Sequence, residues 1–158
     1  MRHKLSMRHK LFMPVVRELL ECARAFERCS SAHVRTLQLT PAQFDIIATL
    51  GNTEGMTCKE LGEKTLITKG TLTGVLDRLE GKGLVARTPS LEDGRSWITR
   101  PTRRGQALFE EIFPAHIKYL QPQFDTIRDS ELETMRAILK RLREAFDLHT
   151  SQEHANPS

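Results

Sequence analysis

The sequence predicts a mainly α chain of about six helices with one small β-hairpin. Three observations predict it. Apolar residues recur at helical spacing over most of the length, threonine-led helix starts punctuate the middle, and one turn-rich, alternating segment over residues 84–99 interrupts the helical pattern. The chain has 158 residues, 39% hydrophobic and 28% charged, which suits one globular domain able to bury its own core.

The elements follow in order. MRHKL occurs at 1–5 and again at 7–11, too short a repeat for a solenoid, so residues 1–13 read as a flexible basic leader. Residues 14–37 form the first helix, with apolar side chains at 15, 16, 19, 20, 23 and 26. Thr40-Pro41-Ala42-Gln43 combines a Thr cap, Pro at the first helical position and Gln three residues on, a capping box opening a helix over Phe44, Ile47 and Ala48. Thr57-Cys58-Lys59-Glu60 repeats the device for a short helix over about 57–65, and Thr68 supplies a fresh cap for the next.

That next helix carries Leu72, Val75, Leu76 and Leu79 on one face and ends near Lys82, where Gly83 suits a left-handed cap and Leu84 its apolar contact. Leu84 to Thr88 leans to β, Pro89 to Gly94 reads as a turn, and Ser96-Trp97-Ile98-Thr99 alternates as the return strand. A further helix runs from Thr102 to about Tyr119, with Pro114 expected to kink or break it. Ser130-Glu131-Leu132-Glu133 opens the last helix as a third box, running through Met135, Ile138, Leu139, Leu142 and Phe146; the polar tail from His149 reads as disordered.

Helix, short helix, turn, helix and hairpin in that order describe a winged helix-turn-helix whose third helix lies in a DNA major groove. The exposed face of that helix fits. Thr68, Gly70, Thr71, Thr73 and Gly74 are poor helix formers, and interior glycine costs about 1 kcal/mol relative to alanine. Threonines offer hydroxyls and methyls to base edges, while Gly70 and Gly74 remove bulk so that the backbone can approach a duplex. Charge agrees: residues 57–105 hold ten Lys/Arg against six Asp/Glu, the whole net charge of +4. We therefore assign Thr68, Lys69, Thr71, Thr73 and Arg78 to the groove and adjoining phosphates, and Arg87, Arg103 and Arg104 to phosphate neutralisation. Arg95 belongs to the wing tip, oriented by Asp93.

LTPAQFDIIATL, TCKELGEKTLITKGTLTGVLDRLEGKGLVAR and LEDGRSWITRPTRRG, spanning Leu39 to Gly105, resemble the MarR (multiple antibiotic resistance regulator) family. The run D-R-L-E-x-x-G-L-V-x-R at Asp77 to Arg87, followed by D-x-R at Asp93 to Arg95, carries the resemblance. It implies a homodimeric, cytoplasmic transcription regulator, usually a repressor, that binds a pseudo-palindromic double-stranded DNA operator and is often released by a small phenolic or other anionic effector. On this reading one domain covers 14–148, with 39–105 the winged motif, 14–38 and 106–148 the dimerisation helices, and 149–158 the tail. Analogy alone places His33 and His116 in a ligand pocket. Two departures stand out: Thr99 and Pro101 occupy usually apolar positions, so the return strand is expected to end early, and Gly62 replaces a usual Ala, loosening the short helix.

Other chemistries find less support. The sequence has no run near 18 apolar residues and none of GxSxG, P-loop or HExxH, so neither a membrane span nor an enzyme is expected. Six histidines without HxxxH pairing and three cysteines without CxxC give no metal site or disulfide framework, and no cofactor is expected. Two alternatives stay open. One is a thiol switch at Cys22, although in a gap-free alignment the reactive Cys of peroxide-sensing relatives falls at Val16; the other is a winged helix used only for protein contacts.

Overall fold

The computed structural model describes residues 7–65, 67–90 and 96–155. In chain order these form α1 (Met7–Thr36), α2 (Pro41–Leu50), β1 (Met56–Thr57), α3 (Cys58–Lys64), α4 (Lys69–Gly81), β2 (Val85–Pro89), β3 (Trp97–Pro101), α5 (Arg103–Phe124) and α6 (Asp129–Ala155). Internal contacts divide the chain into two units, Met1–Tyr119 and Leu120–Ser158.

The first unit is built around α2 and α4. Ile46, Ile47 and Leu50 of α2 meet Leu72, Val75, Leu76 and Leu79 of α4, and Leu61, Leu84, Phe109 and Ile112 close the core around them. Local chemistry fixes the elements. Both expected capping boxes form: the Thr40 hydroxyl accepts from the Gln43 amide while the Gln43 side chain accepts from the Thr40 amide, and Thr57 and Glu60 repeat the exchange. At the end of α4, Gly83 takes φ +69°, its amide donates to the Glu80 carbonyl at 2.8 Å, and the Leu84 amide donates to the Leu79 carbonyl at 3.0 Å. These are the two bonds of a Schellman cap.

The sheet is antiparallel in the order β1-β3-β2. Its two-residue strand β1, pairing Met56 with Thr99 and Thr57 with Ile98, has no local sequence signal. The return strand does not end early: β3 continues to Pro101, opposite Val85. Proline is tolerated there because β1 reaches only as far as Met56, leaving Pro101 with a neighbour on one side alone. Thr99 is buried within this sheet.

Several helix boundaries differ from the sequence expectation. The supposed leader is helical from Met7, and α1 continues through Pro14; residues 1–6 lie outside the described residues. Pro114 neither stops nor divides α5, whose stripe of Gly105, Phe109, Ile112 and His116 stays buried across it. The Glu110 carbonyl left without its helical donor is on an exposed residue, where water can serve it.

In the second unit, α6 starts earlier than the Ser130 box implied. Glu131 reaches back to the Arg128 amide at 3.1 Å and pairs with its guanidinium, so the acid at the third helical position serves a start at Asp129. The helix also runs on to Ala155 rather than fraying at His149, since the tail has no glycine and meets no proline before Pro157. No helix among the described residues is long and apolar enough to cross a membrane.

Candidate nucleic-acid interface

At 100° per residue, the outward ridge of α4, opposite Leu72, Val75, Leu76 and Leu79, is formed by Gly70, Gly74 and Asp77. Thr73 flanks it on one side, Thr71 and Arg78 on the other. All three flanking residues are exposed. The fold itself asks for neither glycine: a methyl group at Gly70 would meet nothing within 4 Å, and one at Gly74 would touch only the Arg78 guanidinium at 4.0 Å. This differs from Gly105, where an added carbon would sit 1.9 Å from the Leu84 carbonyl oxygen.

Thr68 occupies the N-cap position with extended backbone, yet its hydroxyl does not cap the helix as expected. It lies 3.0 Å from the Thr71 hydroxyl instead, leaving the first amides of α4 without that side-chain acceptor. Lys69 is the first residue of α4. Thr73 borders a concavity of about 910 Å³ between α3, α4 and the sheet, shared with Thr57, Cys58, Leu72, Arg87 and the half-exposed Trp97.

Arg87, expected at a phosphate, is held by two acids of α4 within the fold. Its guanidinium lies 2.7 Å from Asp77 and forms a close ion pair with Glu80, whose other oxygen accepts the Arg87 amide at 3.1 Å. Hydrogen bonding to Arg87 holds the Glu80 carboxyl below its ordinary range, and the same bonds raise the guanidinium. One strand cation thus masks both acids of α4 and ties the helix to the wing. The signal was present as two acids three residues apart with an Arg beyond the turn, but only the fold brings them together.

The remaining predicted residues separate. Arg103 and Arg104 open α5, where cations oppose the helix dipole by a few tenths of a kcal/mol; Arg104 donates to the Lys82 carbonyl at 3.1 Å and Arg103 is exposed. Asp93 and Arg95 lie outside the described residues. His33 and His116 do come together, 2.9 Å apart between their Nδ1 atoms. Cys22 is exposed on α1, and it is Cys29, not Cys22, whose sulfur sits 4.0 Å from the Tyr119 hydroxyl. That contact spans ninety positions, so spacing along α1 could not reveal it.

A sequence model described as the MarR family matches residues 39–97, which covers α2 to the start of β3. HTH-type transcriptional regulator MhqR of Bacillus subtilis (strain 168) is 29% identical over 110 residues, spanning 70% of this chain and 76% of that protein. Over these residues the chain is similar to the MarR family, and the relative it matches is a transcriptional regulator. Two solved structures share the fold. A mutant of MarR from E. coli complexed with operator DNA superposes with a TM-score of 0.73 at 25% identity, over 85% of this chain and 96% of that one. BpsR of Bordetella bronchiseptica, whose DNA binding is regulated by 6-hydroxynicotinic acid, gives a TM-score of 0.73 at 23% identity over 82% and 92%. In this chain, α2, α3, α4 and the β2–β3 wing are therefore the winged helix-turn-helix.

Proposed function

We propose that the protein is a homodimeric repressor that binds a pseudo-palindromic operator through α4 and its wing and is released by a small phenolic or anionic effector. The observation that carries this reading is the α4 ridge, stripped to glycine at two positions the fold leaves open and flanked by Thr71, Thr73 and Arg78. Base edges would meet Thr71 and Thr73; phosphates would meet Thr68, Lys69, Arg78, Arg103 and Arg104. Arg95 would enter the minor groove beside the hairpin, with Asp93 steering it, and Arg87 would position α4 and mask its acids.

Exposed apolar side chains support the homodimer. Leu11, Val15 and Phe26 on α1, and Met135, Ile138, Leu139 and Phe146 on α6, form stripes that each unit leaves uncovered. The operator complex of E. coli MarR and the 6-hydroxynicotinic acid response of BpsR support the DNA target and the effector class. A cytoplasmic, non-enzymatic role goes with that target and with the free thiols of Cys22, Cys29 and Cys58. The experiment is a titration of a labelled duplex from the region upstream of its own gene, against a scrambled duplex of equal composition. Selective binding at moderate salt, lost on adding phenolic acids, supports the reading; equal binding to both duplexes defeats it.

A further inference from the structure

Where α1, α2 and α5 meet, two imidazoles share one hydrogen bond. His33 on α1 and His116 on α5 approach to 2.9 Å between Nδ1 atoms, and the other ring nitrogen of His116 lies 3.2 Å from the Ser30 hydroxyl. His116 is only 4% exposed, under the Phe44 ring of α2 at 4.6 Å between centroids. His33 stacks on Tyr119 at 4.3 Å. The titratable Tyr119 of α5 thus stacks on the pair, Cys29 of α1 lies 4.0 Å from the Tyr119 hydroxyl, and α2 presents an aromatic face.

Proton counting limits this arrangement. An Nδ1-to-Nδ1 bond needs one nitrogen bearing hydrogen and the other bearing a lone pair. With both rings neutral the bond is satisfied, and Ser30 serves the outer nitrogen of His116 in either tautomer, as donor or acceptor. One proton added at the outer nitrogen of His33 keeps the bond, now charge-assisted. A second proton has no place: it would set N–H against N–H, and two imidazolium cations against each other beside the buried His116 ring. The contact can only open.

We propose that this pair is a proton switch, and that protonation of both His33 and His116 separates α1 from α5 and weakens operator binding. The inference rests on the DNA-binding reading above. The route to the DNA-facing helix is short, because α2, which carries Phe44 against His116, packs its Ile46, Ile47 and Leu50 on the buried face of α4. Burial first, and then the charge of His33, hold the His116 imidazole below its ordinary range. A histidine lowered in the closed state favours that state fully above the ordinary value near 6.5, and the preference is lost as pH falls from there through the lowered value. One proton per protomer is linked, so affinity falls by at most about tenfold per protomer for each pH unit in that window. Its direction is diagnostic, since acidification otherwise adds positive charge and tightens binding to phosphates.

The test measures affinity for the upstream duplex at about pH 7.5 and about pH 5.5 at fixed salt, for the wild type and for His116→Asn. Histidine Cε1–H resonances of the wild type are followed over the same range, which keeps the test decisive if the variant does not fold. The expected result is a loss of at least about tenfold for the wild-type dimer, tracking a His116 transition below about 6.5, and little loss for His116→Asn. Affinity that holds or rises on acidification, an equal loss in the variant, or a His116 transition that does not coincide with the loss would overturn the switch. Binding equal to that of a scrambled duplex at both pH values would instead defeat the DNA-binding reading, and the switch with it.

Discussion

Gly70 separates what the fold needs from what the function needs. A side chain there would meet nothing within 4 Å, and alanine is the better helix former by about 1 kcal/mol. Gly70→Ala is therefore expected to stabilise the protein by about 0.5–1 kcal/mol in chemical unfolding. The same methyl stands on the ridge that must approach the duplex, so operator affinity should fall by about 1–3 kcal/mol in a gel-shift titration. Higher stability with unchanged affinity would remove the ridge from the interface. Thr73 gives the complementary case. Its replacement by Ala should change preference at one half-site position by about 1–3 kcal/mol while non-specific binding stays nearly intact; a uniform loss on every sequence would make it a phosphate contact.

The elements of the motif are joined by Arg87, which holds Asp77 and Glu80 of α4 from strand β2. Removing that guanidinium leaves two uncompensated carboxylates beside the DNA backbone. Arg87→Ala should weaken operator binding, and adding Asp77→Asn should restore part of the loss, because a neutral amide no longer repels phosphate. If the second change restores nothing, Arg87 acts by contact with DNA after all. Legibility divides along the same line between local and non-local chemistry. The capping boxes at Thr40 and Thr57 and the cap at Gly83 were readable because each is complete within a few residues. Strand β1 was not, since two residues have no pattern of their own and exist as a strand only opposite Ile98 and Thr99. The glycine-threonine face of α4 was visible as an anomaly of propensity. The partners of Arg87 and the His33–His116 contact were hidden, because a charge or an imidazole in the sequence does not say what the fold will place beside it. Proline misled in both directions, at Pro14 and Pro114 inside helices and at Pro101 inside a strand, where surrounding bonds outweigh the one it deletes.

At the scale of the whole molecule, the uncovered stripes on α1 and α6 predict an obligate dimer, and two recognition helices must lie about 34 Å apart to enter successive major grooves. Light scattering should give twice the chain mass of 18.1 kDa at micromolar concentration. A stable monomer would contradict the dimer. The central claim, that α4 and the wing read operator DNA, is tested most directly by titrating the upstream duplex over a series of salt concentrations. Four or five cationic contacts per protomer predict a log K against log salt slope of about −7 to −9, and Arg95→Ala should reduce its magnitude by about 0.9 for each phosphate that the guanidinium no longer neutralises. The account predicts that steep slope together with a dissociation constant of about 10⁻⁸ M or tighter and a clear preference over the scrambled duplex. A flat salt dependence, or equal affinity for both duplexes, would contradict it.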